Sequence, residues 1–541
     1  MIAALRFDNL RGDLFGGVTA AVVALPLALA FGVASGAGAM AGLYGAIIVG
    51  FFASLFGGTA AQVSGPTGPM TVVMTATVMQ YADQPGVAFT VVIMGGLFQI
   101  GFGIARIGQF ISFVPFSVIS GFMSGIGVII ILLQLAPLLG HSVADGGTVG
   151  ALMYLPTLLT HIDLDAAIIG GLSLTIMVFC PQKLAQLIPQ PLIALVICTL
   201  LGVFIFTDIP IIGDIPTGLP TPHMPIFAWD QLPHMISAAL MLALLGTIDS
   251  LLTSLIADNI TKTQHHPNKE LIGQGIGNTL SGLLGGIPGA GATMRTVINV
   301  RAGGKTPLSG MIHALVLLAV VLGLGSLASH IPHAVLAGIL LKVGWDIIDW
   351  PFLKIIRRAP KLSIFLTASV LFLTVFVDLV MAVGFGVVAA SLITLHQMAK
   401  LQLEEISTGT GEFGKPHLTQ SENDHLAALG SRAFYCYFGG PITFGAARGM
   451  AEKLRPGDDT EVLILDMSKV TYLDITTAFA LQEIVENAKA CGVAVLIIGL
   501  SETVAAILDN MGLLKKMPPE HIHFTRLEAF ITAEEMLAQT A

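Results

Sequence analysis

"SGPTGPM", residues 64–70, sets two prolines and two glycines between two strongly apolar stretches. Inside a bilayer no water satisfies the backbone, so a helix broken here leaves N–H groups that something else must meet. A second stretch, "GGIPGAGATMRTVINV" at 285–300, has the same texture: Gly and Pro first, then a very short apolar run. Setting Met70 against Met294 pairs Gly65 with Gly289 and Thr67 with Gly291, and each stretch follows a double glycine, Gly57–Gly58 or Gly285–Gly286.

The surroundings are those of a membrane protein. Of 541 residues, 54% are hydrophobic and 11% charged, against about 25% charged in ordinary globular domains. From Leu14 to Met398 about fourteen apolar runs recur, most near the 20 residues that cross a bilayer core. They lie near 14–34, 42–57, 68–82, 87–105, 111–139, 165–180, 191–207, 233–257, 271–286, 293–300, 308–328, 333–348, 362–378 and 380–398. The two broken stretches fall third and tenth, at matching places in two seven-span halves. An odd span number inverts the second half, so the broken segments enter from opposite faces and meet near the midplane.

A helix over 68–81 is about 21 Å long, too short for the whole core, so its N-terminus begins inside the membrane. A helix start carries unpaired N–H groups and partial positive charge, which suits a small anion. The competing reading is that these prolines and glycines only kink or pack helices; the matched pair argues against it.

With the N-terminus in the cytoplasm, Arg6, Arg11, Arg106, Lys183, Lys262, Lys269, Arg301, Lys305 and the cluster Lys354–Lys361 fall on one side. The opposite long loops, 140–164 and 208–231, hold no Lys or Arg. This asymmetry is the positive-inside pattern and places both termini in the cytoplasm. The net charge of −9 comes mostly from loops and the last quarter of the chain, which disfavours nucleic acid as a partner.

Asp249 lies deep in an apolar run, "ALLGTIDSLLTSLIADN", where an ionised carboxylate is costly without a partner. Thr253, four residues on, shares its helix face, and such oxygens suit a hard cation such as sodium. A proton site and a structural pair with Arg295 are the alternatives. Arg295 either lends charge to the anion site or extends to the cytoplasmic interface. Asp258 and Asp378 read as interfacial, and His265 and His266 as part of a polar loop with Lys262, Lys269 and Glu270.

Cys180, Cys198, Cys436 and Cys491 have neither metal nor redox spacing. No nucleophile elbow, P-loop lysine or metal cluster appears, and "GGIPGAG" precedes a short membrane helix rather than following a Rossmann strand. An enzyme is not expected, nor a cofactor other than a coupling ion. The N-terminus lacks the features of a cleavable signal peptide. After residue 400 the texture turns soluble: a polar linker over 401–430, then strand-like "RAFYCYFGGP" and "EVLILDMSKV" with helical patterns between, making a small α/β domain over 431–541.

Through "LPLALAFGVASGAGAMAGLYGAII", "GPTGPMTVV" and "GNTLSGLLGGIPGAGATMRTVINVRAGGKTPLSG" the chain resembles the sulfate permease (SulP, solute carrier family 26) anion transporters, in particular their sodium-dependent bicarbonate branch, over nearly its whole length. The resemblance implies an α-helical polytopic protein over residues 1–400. Its 14 transmembrane segments would form a UraA-like 7+7 inverted repeat with core and gate domains, an elevator-type movement and a homodimer. It implies a cytoplasmic STAS domain at the C-terminus, an inner-membrane location and Na+/HCO3− symport. Proton-coupled or uncoupled sulfate transport and a passive anion channel are the alternatives. By the same resemblance bicarbonate sits between Thr67 and Gly68 and Ala292 and Thr293, with Phe31 as an apolar wall. Sodium is held by Asp249 and Thr253 with oxygens from Gly291 and Thr293. Family members resemble one another in a Glu at position 249 and a polar residue at 27; Asp249 and Leu27 depart from this in a direction that favours sodium. In the tail, "VTYLDITTAF" resembles the regulatory STAS loop in which Ser follows Asp; here Ile475 follows Asp474, leaving Thr476 and Thr477 as the nearby hydroxyls.

Overall fold

A computed structural model describes residues 7–539 except 110–114, 143–145, 182–183, 185–187, 207–208, 214–219, 221, 378, 411–417, 456 and 458. Arg6, Lys183 and Asp378 therefore lie outside the described residues. The chain forms two compact units, 1–388 and 389–541.

Each of the expected apolar runs is largely helical over its described residues. The first unit contains α1 (Leu10–Ala34), α2 (Ala39–Phe56), α3 (Gly68–Gln80), α4 (Pro85–Ile104), α5 (Phe116–Leu138), α6 (Gly147–Thr160), α7 (Leu164–Phe179), α8 (Gln190–Phe204), α9 (Leu232–Thr261), α10 (Pro267–Leu283), α11 (Thr293–Arg301), α12 (Pro307–Ala328), α13 (His333–Ile347), α14 (Trp350–Ile355) and α15 (Lys361–Phe376). It is continued by α16 (Leu379–Glu405). Among the described residues six helices are long and apolar enough to cross a membrane, or seven if α6 and α7, bent by 118°, count as one.

The sequence reading missed α6, which occupies much of the expected 140–164 loop. It starts after Gly146 at φ 86°, has 14 residues and contains Pro156. Those breakers hide an apolar helix, whose Ala151 and Leu158 are buried.

Small residues set the packing. On α4 and α10 the glycines interleave: a Cβ on Gly96 would fall 2.4 Å from the Thr279 nitrogen, and one on Gly275 2.6 Å from the Gly96 oxygen. In a membrane, where lipid is as apolar as Leu, such backbone approach is how helices gain contact. Helices α1, α2, α4, α9, α10 and α12 pack into one group around the two short helices α3 and α11; α5, α7, α8, α13 and α15 pack into another.

The second unit has a five-stranded sheet in sequential order: β3 (Ile406–Gly409), β4 (Ala433–Phe438), β5 (Val462–Asp466), β6 (Ala494–Ile498) and β7 (Ile522–His523). β3 pairs antiparallel with β4; the other pairs are parallel. The expected linker over 401–430 is largely structured where described. It holds the end of α16, β3 and α17 (Gln420–Leu429), which opens with a Thr419–Glu422 capping box. Its polar composition reflects exposed faces, while Ile406, Leu426 and Leu429 are buried. Four further helices follow: α18 (Phe444–Lys453), α19 (Ile475–Ala490), α20 (Glu502–Asn510) and α21 (Arg526–Gln539). At the end of β5 the fully buried Asp466 accepts from Arg526 Nε at 2.7 Å and from Tyr435 Oη. Burial, with the Asp466 charge beside it, pushes the Tyr435 phenol above its usual range.

Candidate functional site

The two broken stretches meet. β1 (Ser64–Gly65) pairs antiparallel with β2 (Ala290–Gly291), Ser64 opposite Gly291 and Gly65 opposite Ala290. The Ala292 N–H extends the ladder by donating to the Val63 oxygen at 2.9 Å. Helices α3 and α11 begin directly after this pair. Neither start has a capping side chain. Gly68 and Met70 N–H at one start, and Thr293 and Met294 N–H at the other, are the positions a helix leaves without intrahelical partners; Pro69 has none to offer.

The ladder is held from outside by groups the sequence reading did not single out. Asn278 Nδ2 donates to the Gly289 oxygen and its Oδ1 accepts from Gly289 N, closing both sides of the turn before β2. Ser250 Oγ accepts from Gly291 N at 3.0 Å. Glu270, read from sequence as part of a polar loop, is instead buried in the first turn of α10. Its carboxylate accepts from the N–H groups of Gly58 and Thr59 and from the amides of Gln62 and Gln274. Four donors satisfy the charge, which is how an acid enters an apolar stretch. The double glycine 57–58 is the sequence trace of this clamp: a Cβ on Gly57 would lie 2.9 Å from Glu270 Oε2.

The sequence-predicted residues converge on the junction. Thr253 Oγ1 donates to the Gly291 oxygen at 2.9 Å and lies 2.8 Å from Thr293 Oγ1. Asp249, one turn back on α9, has an Oδ2 that is buried without a hydrogen-bond partner among the described residues. Thr67 Oγ1 and Arg295 Nη1 are in the same condition. A carboxylate oxygen, a hydroxyl and a guanidinium nitrogen are thus left unpaired on residues of the two broken stretches and of α9, one turn from the Thr253 hydroxyl that joins the Gly291 and Thr293 oxygens. Buried polar atoms without partners are costly, and here their chemistry matches a cation beside an anion.

Arg295 is 2% exposed and its Nη2 donates to the Pro66 oxygen, so it belongs to the junction and does not extend to an interface. No carboxylate lies within 4.0 Å of it among the described residues, so a direct ion pair with Asp249 is not formed. The likeness of the two stretches has a limit: Met70 is 1% exposed and Met294 is 64% exposed. Phe31 is buried and lines a small cavity with Thr71 in the first turns of α3. Gly68 faces an apolar wall, since a Cβ there would lie 2.7 Å from Ile347 Cδ1 and 2.8 Å from Ile130 Cδ1. Away from the junction, Asp258 is part-buried and accepts from His265 N and pairs with its Nδ1 at 2.6 Å, so His265 is tied down rather than solvated.

Residues 10–370 match the model of the sulfate permease family. The chain belongs to that family. A STAS domain model matches residues 431–529 of this permease. It is 45% identical over 540 residues to the bicarbonate transporter BicA of Picosynechococcus sp., covering 98% of this chain and 95% of the relative. It is 32% identical to a putative sulfate transporter, YvdB, of Bacillus subtilis, covering 94% and 95%. A solved transmembrane domain of a cyanobacterial BicA superposes with a TM-score of 0.68 at 52% identity, covering 71% of this chain and all of that one. The structure of SLC26A9 superposes with a TM-score of 0.85 over 99% of this chain and 92% of that one; at 19% identity it shows the fold alone. The permease is therefore a multi-pass membrane transporter with a C-terminal STAS domain.

In that STAS domain Asp474 caps α19, its Oδ1 accepting from Thr477 N at 2.8 Å, and its Oδ2 accepts from Phe444 N. Thr477 is fully buried, whereas Thr476 and Ile475 are exposed.

Proposed function

We propose that this permease takes up bicarbonate together with sodium. The observation that carries the reading is the unpaired Asp249 carboxylate oxygen, one helical turn from the Thr253 hydroxyl that joins the Gly291 and Thr293 oxygens where two uncapped helix starts follow the β1–β2 pair. An ionised carboxylate next to an anion site repels the anion; a cation between them turns repulsion into attraction, so anion and cation bind as a pair. Sodium is held by Asp249, Thr253, Gly291 and Thr293. Bicarbonate lies between Thr67–Gly68 and Ala292–Thr293, with Phe31 as a wall and Arg295 adding positive charge from behind. The identity to proteins named bicarbonate transporters supports the cargo.

The finer architecture belongs to the same proposal: 14 spans in two inverted halves of seven, and a homodimer to which STAS domains contribute. The helix group carrying α3 and α11 is the moving core, sliding against the α5–α13 group as an elevator. Both termini and the STAS domain are cytoplasmic, and the bilayer is the inner membrane. Asp474 and Thr476 mark the surface where the STAS loop would be regulated; without Ser after Asp474 a phosphoswitch is disfavoured.

Uptake of labelled bicarbonate into vesicles containing the purified chain, with sodium replaced by choline and bicarbonate by sulfate, separates the readings. Saturable bicarbonate uptake that needs a sodium gradient is expected. Sulfate uptake driven by a proton gradient would replace the cargo and the ion, and conduction without any gradient coupling would indicate a channel.

A further inference from the structure

A cleft of about 440 Å³ opens beside residues Gly140, His141 and Pro210, which belong to the two long loops free of Lys and Arg. At its inner end it shares Ala34 and Gln134 with the small cavity of about 10 Å³ that touches Phe31 and Thr71. That cavity has room for about one water, so a narrow neck at the first turns of α3 shares two wall residues with the wider mouth.

Gln134, on α5, stands at the neck. It is 5% exposed, yet none of the described residues hydrogen bonds to its amide. Four other polar groups lining these spaces are engaged. Thr71 and Thr75 hydroxyls donate to the Thr67 and Thr71 carbonyls, and the Nε2 atoms of His141 and His333 lie on the His161 and Ile211 carbonyls. An amide with no protein partner that lines both spaces has its N–H and its carbonyl free to meet a ligand.

Helix starts and Arg295 offer only donors and attract any small anion. An amide also accepts, and among small inorganic anions only a protonated one has a hydrogen to give. We propose that Gln134 is a specificity-determining contact for a monoprotonated oxyanion entering through this cleft, its N–H donating to a charged oxygen and its carbonyl accepting the anion's O–H. The inference rests on the bicarbonate reading and adds how bicarbonate is told from a planar anion of equal charge without a proton. Nitrate is such an anion: it gains one contact from the amide and is repelled by the other half.

The test compares wild type, Gln134→Leu and Gln134→Glu in vesicles, following labelled bicarbonate uptake with nitrate as competitor. Gln134→Leu keeps the volume and is expected to raise the bicarbonate KM about tenfold while leaving nitrate inhibition nearly unchanged, so the preference falls about tenfold. Gln134→Glu places a fixed charge in the neck and should cut uptake more than tenfold; it is the deciding variant if the leucine form fails to insert. An unchanged bicarbonate-to-nitrate preference in Gln134→Leu, or wild-type uptake by Gln134→Glu, overturns the inference while the transport reading stands. Wild type without saturable bicarbonate uptake overturns both.

Discussion

At the scale of single residues, the junction works because small groups leave room and hydroxyls supply oxygen. Thr253 is buried with its hydroxyl between the Gly291 oxygen and Thr293. Thr253→Val keeps the shape and removes one oxygen; the sodium concentration for half-maximal uptake should rise about tenfold, and an unchanged sodium curve would remove Thr253 from the site. Gly68→Ala puts a methyl within 2.7–2.8 Å of Ile347 and Ile130. That overpacking should cost about 1–3 kcal/mol, read as earlier thermal unfolding of the purified protein. Thr67→Trp should block bicarbonate uptake with dimer formation intact; normal uptake would move the anion elsewhere. Asp249, Thr253 and Arg295 stood out in the sequence because a charge or hydroxyl contrasts with apolar neighbours, and Thr67 came from the family resemblance. Ser250 and Asn278 were not, since one Ser or Asn in a membrane helix carries no pattern; only the fold shows that they hold Gly289 and Gly291. Gln134 was hidden in the same way, a single polar residue in "ILLQLAPLL".

At the scale of elements, breaks outweigh periodicity. Helix α3 was expected over 68–81 and runs Gly68–Gln80, because Pro66 and Pro69 fix its start. Helix α6 was missed because of the same signals: Gly146 precedes it and Pro156 lies within it, so a Pro that marks a start in α3 sits in the interior of a real helix here. Glu270 was misplaced because three of its four donors come from residues more than two hundred positions away in sequence, a long-range arrangement no local window contains. It links α10 to the loop before β1, so Glu270→Ala would strand four donors and should destabilise the membrane unit, at about 1–3 kcal/mol for each donor left unsatisfied. Glu270→Gln, which keeps an acceptor, should lose less. Thermal unfolding of both variants checks this, and an alanine variant as stable as wild type would contradict the clamp.

At the scale of the molecule, the fold class was readable because hydropathy and charge asymmetry respond to the bilayer itself. The meeting of the third and tenth segments was inferred from their matched positions, and the β1–β2 pairing is its physical form. The boundary near 400 was less legible: α16 continues to Glu405 and β3 follows at once. In the STAS unit, Arg526 is the cation paired with the fully buried Asp466. Arg526→Ala should cost that unit about 3–5 kcal/mol, seen as faster hydrogen exchange in Val462–Asp466.

The central claim is that sodium bound at Asp249 makes the junction a bicarbonate site. It is tested most directly by measuring bicarbonate uptake against sodium concentration for wild type and Asp249→Ala in the same vesicles, with membrane insertion verified. Wild type should show saturable sodium stimulation and Asp249→Ala none; a normal sodium dependence in Asp249→Ala would contradict the account.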